Sequence, residues 1–194
     1  MFQIRIHGRG GQGVVTAAEL LSVASFLEGL HAQAFPSFGS ERMGAPVMAF
    51  CRIDDKAVRL REPVTSPNAL IIQDPTLLHQ VDLFEGLAPK GYALLNSTRS
   101  FEELGLGEFV SKFPRGHFRT VPASEIALGH VGRALPNAAL LGGFVAITGV
   151  LKIESVLAAI REKFSAKVGD ANAAAAQEAY ESVRRSRESE TVDA

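Results

Sequence analysis

The chain is poor in cysteine, since Cys51 is the only one among 194 residues. A single thiol excludes an internal disulfide framework, and it cannot supply the full ligand set of an iron–sulfur cluster or of a structural zinc site. Cys51 alternates with Val47, Ala49 and Ile53 along one face of an expected strand. We therefore expect it to be a small core residue and not a nucleophile.

The chain also lacks an excess of charge of either sign, and it lacks a long apolar run. Lys and Arg total 20 against 21 Asp and Glu, so charge gives no case for nucleic-acid binding. The most apolar run, Ala138–Leu151, is shorter than the roughly 20 residues of a membrane helix and carries several glycines. The first residues read as a strand that contains Arg5 and His7, unlike a signal peptide. We expect a cytoplasmic protein with neither nucleic acid nor membrane as a partner.

A glycine-rich turn is the most informative motif that is present. Gly8-Arg9-Gly10-Gly11-Gln12-Gly13 lies between a short strand, Phe2–His7, and a helix pattern that begins at Val14. Strand, glycine turn and helix in this order favour a phosphate-binding unit, because glycines let the backbone approach an anion at the positive end of a helix. A tight strand-to-helix turn without a ligand is the alternative.

The region after the turn argues against a dinucleotide site. Such sites usually place an acidic residue roughly 20 residues after the glycines to hold the ribose hydroxyls. Here Leu30–Pro36 contains no carboxylate. NAD binding is therefore disfavoured.

Strand and helix patterns alternate along the chain. Helical spacing covers 14–28, and the sequence is helical from Ser124 onward. Strands are predicted at 30–35, 69–73, 92–95 and 118–121, with an antiparallel hairpin formed by 47–54 and 57–62. This order predicts an α/β protein with an open, Rossmann-like, mixed but mainly parallel sheet, an antiparallel hairpin and a C-terminal helical segment. Residues 1–185 are predicted to form a single domain and 186–194 a polar tail.

Ligands in such sheets bind outside the carboxyl ends of the strands. Arg42, in the polar loop that follows the second strand, is a candidate for a phosphate or carboxylate, or for an interface with another chain. Asn137 is a candidate for a helix cap or for a contact with a neighbouring subunit. No residue is predicted to be catalytic or to bind a metal. The predicted ligand-binding residues are Gly8, Gly10, Gly11, Gln12, Gly13, Ser37, Arg42 and Asn137.

Taken together, the motifs resemble those of the gamma subunit of the 2-oxoacid:ferredoxin oxidoreductases, a family whose substrates include pyruvate, ketoisovalerate and phenylglyoxylate. The resemblance runs from about residue 3 to residue 165. Two positions depart from the common family pattern, Ser40, where a proline is frequent, and Met43, where a polar residue often precedes the glycine. The segments that carry the resemblance are the glycine turn, Phe35–Pro46, Asp74–Leu78, Val121–Ala127 and Asn137–Gly143.

The resemblance implies one subunit of an enzyme that decarboxylates a 2-oxoacid oxidatively with coenzyme A, giving an acyl-CoA and carbon dioxide. Thiamine diphosphate, Mg²⁺ and 4Fe–4S clusters would be held by alpha, beta and ferredoxin-like delta partners. The acceptor would be ferredoxin or an NAD-reducing subunit.

The sequence is compatible with two functions. In the first, the chain is an inactive subunit by itself, with a structural role and a CoA-binding or gating role in the complex. In the second, it is a free-standing nucleotide- or flavin-binding Rossmann-like reductase, which would keep the glycine turn but lacks an acid for the ribose.

Overall fold

A computed structural model describes residues 1–37 and 43–192 as an open six-stranded sheet with long helices on one face. The strands are β1 (Phe2–Arg9), β2 (His31–Pro36), β3 (Pro46–Asp54), β4 (Ala69–Ile72), β5 (Tyr92–Asn96) and β6 (Phe118–Val121). The helices are α1 (Val14–Leu27), α2 (Gly107–Val110), α3 (Ala123–Val131), α4 (Asn137–Thr148), α5 (Ile153–Lys163) and α6 (Ala166–Val192), with a 3₁₀ helix at Pro75–His79. Within these ranges no helix combines the length and the apolar character that crossing a membrane requires.

The sheet has the order β2-β3-β1-β4-β5-β6. In the series β1-β4-β5-β6, each strand runs parallel to its neighbours. Strand β3 lies between β1 and β2 and runs antiparallel to both. The predicted fold class is therefore confirmed. Because β3 alone is reversed, the carboxyl ends of the other five strands lie at one side of the sheet. We call this side the carboxyl edge and the opposite side the amino edge.

The predicted hairpin is wrong in its second arm. Residues 57–62 form no strand, and β3 pairs with β1 and β2 instead. The carbonyl groups of this segment bind a side chain and not a strand, since the Arg52 guanidinium donates to the carbonyl oxygens of Leu60 (3.5 Å) and Glu62 (2.5 Å). The alternation of apolar and charged residues in 57–62 therefore did not reflect a strand.

One face of the sheet, the helical face, is covered by α1, α4, α5 and α6. Every residue of α4 from 137 to 147 is buried, so this helix lies at the centre of the layer. Helices α4 and α6 meet at their backbones, where a Cβ placed on Gly142 would lie 1.8 Å from the carbonyl oxygen of Ala176. Residues 186–192, expected in a polar tail, continue α6.

The other face, which we call the irregular face, is covered by 57–68, 75–91 and 97–113, and the helices within these segments are the 3₁₀ helix and the four-residue α2. Its apolar part is an aromatic cluster around Phe118. Its polar part contains the buried Arg5, His7 and Arg52. The Arg5 guanidinium donates to His7 Nε2 (3.0 Å) and to the carbonyl oxygen of Leu83 (3.0 Å), which ties the covering segment to β1.

Candidate functional site

The glycine turn lies at the carboxyl edge, where β1 passes into α1. Gly13 adopts a left-handed backbone conformation (φ 73°), and a Cβ there would lie 2.5 Å from Asn137 Nδ2 at the start of α4. A Cβ on Gly8 would lie 2.6 Å from Val14 Cγ2. Both positions therefore exclude a side chain, Gly13 by conformation and contact and Gly8 by the close approach of α1.

Arg9 fastens the turn to the neighbouring strand ends. Its Nε donates to Asp74 Oδ2 (3.2 Å), and its Nη2 donates to Thr76 Oγ1 (2.7 Å) and Gln80 Oε1 (2.9 Å). Its Nη1 donates to the carbonyl oxygen of Gly44 (3.1 Å). The only charged side chain of the glycine turn is thus engaged in holding the fold.

Gln12 closes the turn on itself. Its Oε1 accepts from the Arg9 amide (2.8 Å), and its Nε2 donates to Asp74 Oδ2 (2.9 Å). Partial burial opposes ionisation of Asp74, but hydrogen bonds from Thr76 and Gln12, with Arg9 nearby, outweigh it and lower the pKa of this carboxyl. The Arg9–Asp74 pair leaves the edge close to electrical neutrality at this point.

Gly10 is joined to the segment that leads into β3. Its amide donates to the carbonyl oxygen of Ala45 (2.9 Å), and its carbonyl accepts from the Gly44 amide (3.1 Å). A Cβ on Gly11 would lie 2.5 Å from Met43 Sδ, so the Met43 side chain, 87% exposed, rests against the turn. The amide of Gly10 is therefore engaged within the chain and not directed at a ligand.

The helix starts supply other donors at the same edge. Neither α1 nor α4 has a side-chain cap from its N-cap residue, which leaves first-turn amides at their positive ends without that partner. The two starts meet where Asn137 Nδ2 approaches the carbonyl oxygen of Gly13 (3.5 Å). Helix α3 differs, because Asn96 Oδ1 accepts from the Ser124 amide (3.1 Å). The carboxyl edge therefore offers amide donors chiefly from α1 and α4.

Gln73, which follows β4, was not predicted from the sequence. Its side chain is 1% exposed, yet neither Oε1 nor Nε2 has a hydrogen-bond partner among the described residues. Its Oε1 lies 3.2 Å from the place of a Cβ on Gly8, beside the start of α1. Buried amide groups without partners are rare, and each one calls for an explanation such as a bound group or a water. A glutamine at a strand end looks unremarkable in sequence, and no local signal marks it.

Only some of the predicted ligand-binding residues lie close together in the structure. Gly8, Gly10, Gly11, Gln12, Gly13 and Asn137 lie together around the start of α1. Ser37 lies at the same edge but beyond β3, where its amide donates to the carbonyl oxygen of Met48 (2.9 Å). Arg42 lies outside the described residues.

The two residues with reactive side chains, His7 and Cys51, do not face the glycine turn. Burial and the neighbouring Arg5 lower the pKa of His7 to about 3, and the ring points to the irregular face. Burial raises the pKa of Cys51 to about 12 on the helical face. Among residues 1–37 and 43–192, no three His, Cys, Asp or Glu side chains are grouped as a metal site requires. The site offers amide groups and shape, with no acid–base pair in the described part.

Comparison with known proteins identifies relatives over nearly the whole chain. The family model described as pyruvate ferredoxin/flavodoxin oxidoreductase matches residues 3–182. The pyruvate synthase subunit PorC of Methanothermobacter marburgensis is 46% identical over 186 residues, which are 96% of this chain and 99% of that protein. The common gamma subunit of the pyruvate/ketoisovalerate oxidoreductases of Pyrococcus furiosus is 46% identical, over 93% of this chain and 96% of that protein.

A solved structure agrees with these matches. The crystal structure of the pyruvate oxidoreductase subunit PORC from Thermotoga maritima superimposes with a TM-score of 0.76 and 36% identity, covering 93% of this chain and 95% of that one. Fold, glycine turn and family match thus agree along the chain. The protein belongs to the pyruvate ferredoxin/flavodoxin oxidoreductase family and is of its gamma-subunit type.

Proposed function

We propose that the chain is the gamma subunit of a multi-subunit enzyme that converts a 2-oxoacid and CoA into an acyl-CoA and CO2, with two electrons passed to ferredoxin or a related acceptor. The names of its relatives support pyruvate as the first 2-oxoacid to test. A free-standing reductase receives no such support, because the match with gamma-type subunits extends over nearly the full length of both proteins.

The redox and decarboxylation chemistry is assigned to partner subunits, the alpha, beta and ferredoxin-like delta chains. Thiamine diphosphate acts with a divalent cation held by oxygen ligands, and 4Fe–4S clusters need cysteine thiolates. The described residues do not fit either group, because they contain no group of three His, Cys, Asp or Glu side chains that could hold a metal, and Cys51 is buried and alone. The chain contributes binding and shape, and no step of bond making is assigned to it.

The carboxyl edge is assigned to the phosphates of CoA. The observation that supports this best is the buried side chain of Gln73, which lacks a partner and lies beside Gly8 at the start of α1. Helices α1 and α4 begin side by side at this edge, so the positive ends of both helix dipoles lie there. Solvent does not reach Gln73 Nε2 in this arrangement, so it would donate to a phosphate oxygen only after the turn beside Gly8 has moved to admit it, and Arg42 would add a charged contact from the adjoining loop.

The alternative role for the same edge is packing against the catalytic subunits. Met43 is 87% exposed, and Leu135, just before α4, is 37% exposed, so apolar side chains flank the glycine turn. Contact with CoA and contact with a partner subunit predict different effects of a substitution. The first changes the dependence of the rate on CoA, and the second changes assembly.

The test uses the complex reconstituted with its partner subunits, with dye reduction measured as a function of CoA and of the 2-oxoacid. Arg42→Ala should raise the KM for CoA roughly tenfold or more, and Gln73→Leu roughly threefold to tenfold, as expected for a charged and a neutral hydrogen bond. The kcat should change little, since binding common to ground and transition states is lost. Arg59→Ala, an exposed arginine on the irregular face, is the matched control.

The outcomes separate the hypotheses. An unchanged KM for CoA in an intact complex of either variant would remove CoA from the carboxyl edge, and a failure of the variants to assemble would assign the edge to subunit contacts. Purification of the native chain is the broader test. If it brings down no thiamine-binding or iron–sulfur partner and shows no CoA-dependent activity, the subunit assignment itself fails.

A further inference from the structure

Gln73 lies at the point where the topology of the sheet changes direction. Strands β1 and β4 are parallel neighbours, but the chain leaves them toward opposite faces, into α1 on the helical face and into 75–91 on the irregular face. Ligands of open α/β sheets bind where neighbouring connections diverge in this way. Gln73 directly follows β4, and its amide has no partner among the described residues. A buried donor and acceptor therefore lie where a ligand is expected, although solvent does not reach them.

The side chain of Gln12 lies next to that of Gln73. The Oε1 atoms of the two glutamines lie 3.1 and 3.2 Å from one point, the position that a Cβ on Gly8 would take. Gln12 Nε2 is itself bound to Asp74 Oδ2 (2.9 Å), which holds this side chain across the divide between β1 and β4. Releasing Gln12 from Asp74 would therefore open a way to the amide of Gln73.

The two carboxylate oxygens of Asp74 have separate roles. Oδ1 accepts from the amide (2.9 Å) and the hydroxyl (2.5 Å) of Thr76 and so caps the 3₁₀ helix. Oδ2 accepts from Gln12 Nε2 (2.9 Å) and from Arg9 Nε (3.2 Å), which both belong to the glycine turn. We call the two bonds to Oδ2 the closing bonds, because they join the turn after β1 to the segment after β4. A substitution that alters Oδ2 alone would remove the closing bonds and keep the cap.

Arg9 supplies the positive charge of the closing bonds, and a phosphate would compete for it. The Arg9 side chain is 20% exposed, so an anion in solution can approach it. Its further bonds are to uncharged groups, Thr76 Oγ1, Gln80 Oε1 and the Gly44 carbonyl oxygen. A terminal phosphate carries a charge of about −1.5 to −2 at pH 7 and binds a guanidinium with two oxygens, whereas Asp74 offers Arg9 one oxygen and one charge. A phosphate is therefore the stronger partner for Arg9.

We propose that the glycine turn opens when a phosphate binds, with Arg9 exchanging Asp74 for a phosphate oxygen and Gln73 Nε2 becoming a second donor to it. The inference rests on the function proposed above, the binding of CoA phosphates at the carboxyl edge. It adds Arg9 to the ligand-binding residues, and it gives Asp74 a role that opposes binding. Because the closing bonds stabilise the empty site, the affinity for CoA depends on the difference between the two partners of Arg9.

Calorimetric titration of the complex, reconstituted with its partner subunits, with CoA and without a 2-oxoacid tests the proposal. Asp74→Asn keeps an oxygen for Thr76 and places an N–H group where Oδ2 accepted, so the closing bonds are lost and the Kd for CoA should fall roughly threefold to tenfold. Arg9→Gln breaks the same ion pair but removes the cation, so the Kd should rise roughly tenfold or more. If the pair only supported the fold, both substitutions would change the Kd in the same direction.

Asp170→Asn is the matched control, because the same substitution removes one negative charge from an exposed ion pair with Arg161. Its Kd for CoA should stay within about twofold of the parent value. Pantetheine, which lacks the phosphates of CoA, should bind no more tightly to Asp74→Asn than to the parent. Hydrogen exchange at the amides of 8–13 should be faster in Asp74→Asn, since the turn has lost the bonds that hold it closed.

Three results would overturn the proposal. If Gln73→Leu weakens CoA binding but Asp74→Asn does not tighten it, CoA binds at the carboxyl edge without the exchange at Arg9. An equal fall of the Kd in Asp170→Asn would show a general effect of charge. An unchanged Kd in Gln73→Leu, Arg9→Gln and Asp74→Asn alike would remove the phosphates from this edge, and the function proposed for it would fail as well. Because Asp74→Asn keeps the cap, it decides the question even if Arg9→Gln does not assemble.

Discussion

The two faces of the sheet are held by different interactions. On the helical face, α4 and α6 approach until Gly142 lies under the Ala176 carbonyl, and apolar side chains fill the space. On the irregular face, Arg5 and Arg52 reach from the strands to the backbone carbonyls of segments that have little regular structure. The helical face is held by close apolar packing of helices, whereas the irregular face combines the apolar cluster around Phe118 with a few charged donors.

The difference follows from the main-chain hydrogen bonds. Helices satisfy their own backbone groups and need only an apolar surface to pack against, whereas irregular segments need partners for their carbonyls when they are buried. Arginine is suited to that task because its guanidinium has several donors and a long apolar stem. Substitutions on the two faces should therefore differ in size and in their dependence on pH.

The largest effect is expected at Gly142. Gly142→Ala places a methyl group 1.8 Å from the Ala176 carbonyl oxygen, so α4 and α6 must separate, and we expect a loss of about 3 kcal/mol or more in the free energy of unfolding. Urea unfolding of the purified chain measures it. Gly129→Ala in α3 is the control, because nothing lies within 4 Å of that position and alanine should stabilise the helix by about 0.5 to 1 kcal/mol. Equal effects of the two changes would contradict the close packing of α4 on α6.

A smaller loss is expected at Arg52. Arg52→Leu leaves the carbonyl groups of Leu60 and Glu62 without their donor, at a cost of about 2 to 3 kcal/mol. The segment 57–66 should also become more susceptible to proteolysis, which a structural loss elsewhere would not cause. Arg59→Leu, on the same segment but exposed, should change the free energy of unfolding by less than about 0.5 kcal/mol. Unchanged proteolysis in Arg52→Leu would show that the segment is held by other contacts.

The irregular face should also make stability dependent on pH through His7. Its pKa is about 3 in the folded chain, lowered by burial and by Arg5, against 6.5 for the ordinary side chain. Below pH 6.5 the unfolded chain takes up a proton that the folded chain refuses until about pH 3, so stability falls as pH falls through this window, by about 1.4 kcal/mol per pH unit. The loss attributable to His7 should reach about 2 kcal/mol at pH 5.

Urea unfolding at pH 7.5 and pH 5 measures this loss. His7→Gln should remove this share of the pH dependence, whatever it does to stability at pH 7.5. His31→Gln, an exposed histidine, should leave the difference between the two pH values as it is in the parent chain. The same pH dependence in parent and His7→Gln would show that His7 takes up its proton as readily in the folded chain as in the unfolded chain.

The smallest effect is expected on the helical face at Cys51. Cys51→Ala removes one buried sulfur and should cost about 1 kcal/mol, with little dependence on pH. Burial raises the pKa of the thiol to about 12, so iodoacetamide at pH 8 should modify the folded chain far more slowly than the urea-unfolded chain. Equal rates in the two states would place Cys51 outside the core.

Much of the fold could be predicted because its signals are local. The helical spacing of α1 and the buried run of β4 are visible in a few residues each. The segment 57–62 was predicted as a strand because apolar and charged residues alternate in it, which is also a local signal. The strands that pair with β3 are β1 and β2, which are distant in sequence from this segment. Pairing between remote segments depends on the whole sheet, and a short pattern does not contain it.

For the candidate site as well, the sequence predicted the local motifs but not the contacts between distant segments. The glycine turn and Asn137 are recognisable in sequence, and the structure brings them together through Gly13. The bond from the Gly10 amide to Ala45 depends on the register of β1 with β3, which no motif states. Gln73 stood out only when its burial and its lack of a partner were known. The sequence could indicate the position of the candidate site, but not which of its amides are already bonded within the chain.

Helix α4 connects the two ends of the molecule. It begins with Asn137 against the glycine turn and ends at Thr148 near the amino end of β5, a span of about 18 Å for twelve residues. Its middle is in close contact with α6 at Gly142. The wall of the glycine turn is therefore part of the same helix that fills the core, so a substitution that displaces α4 in the core should also displace Asn137 at the turn.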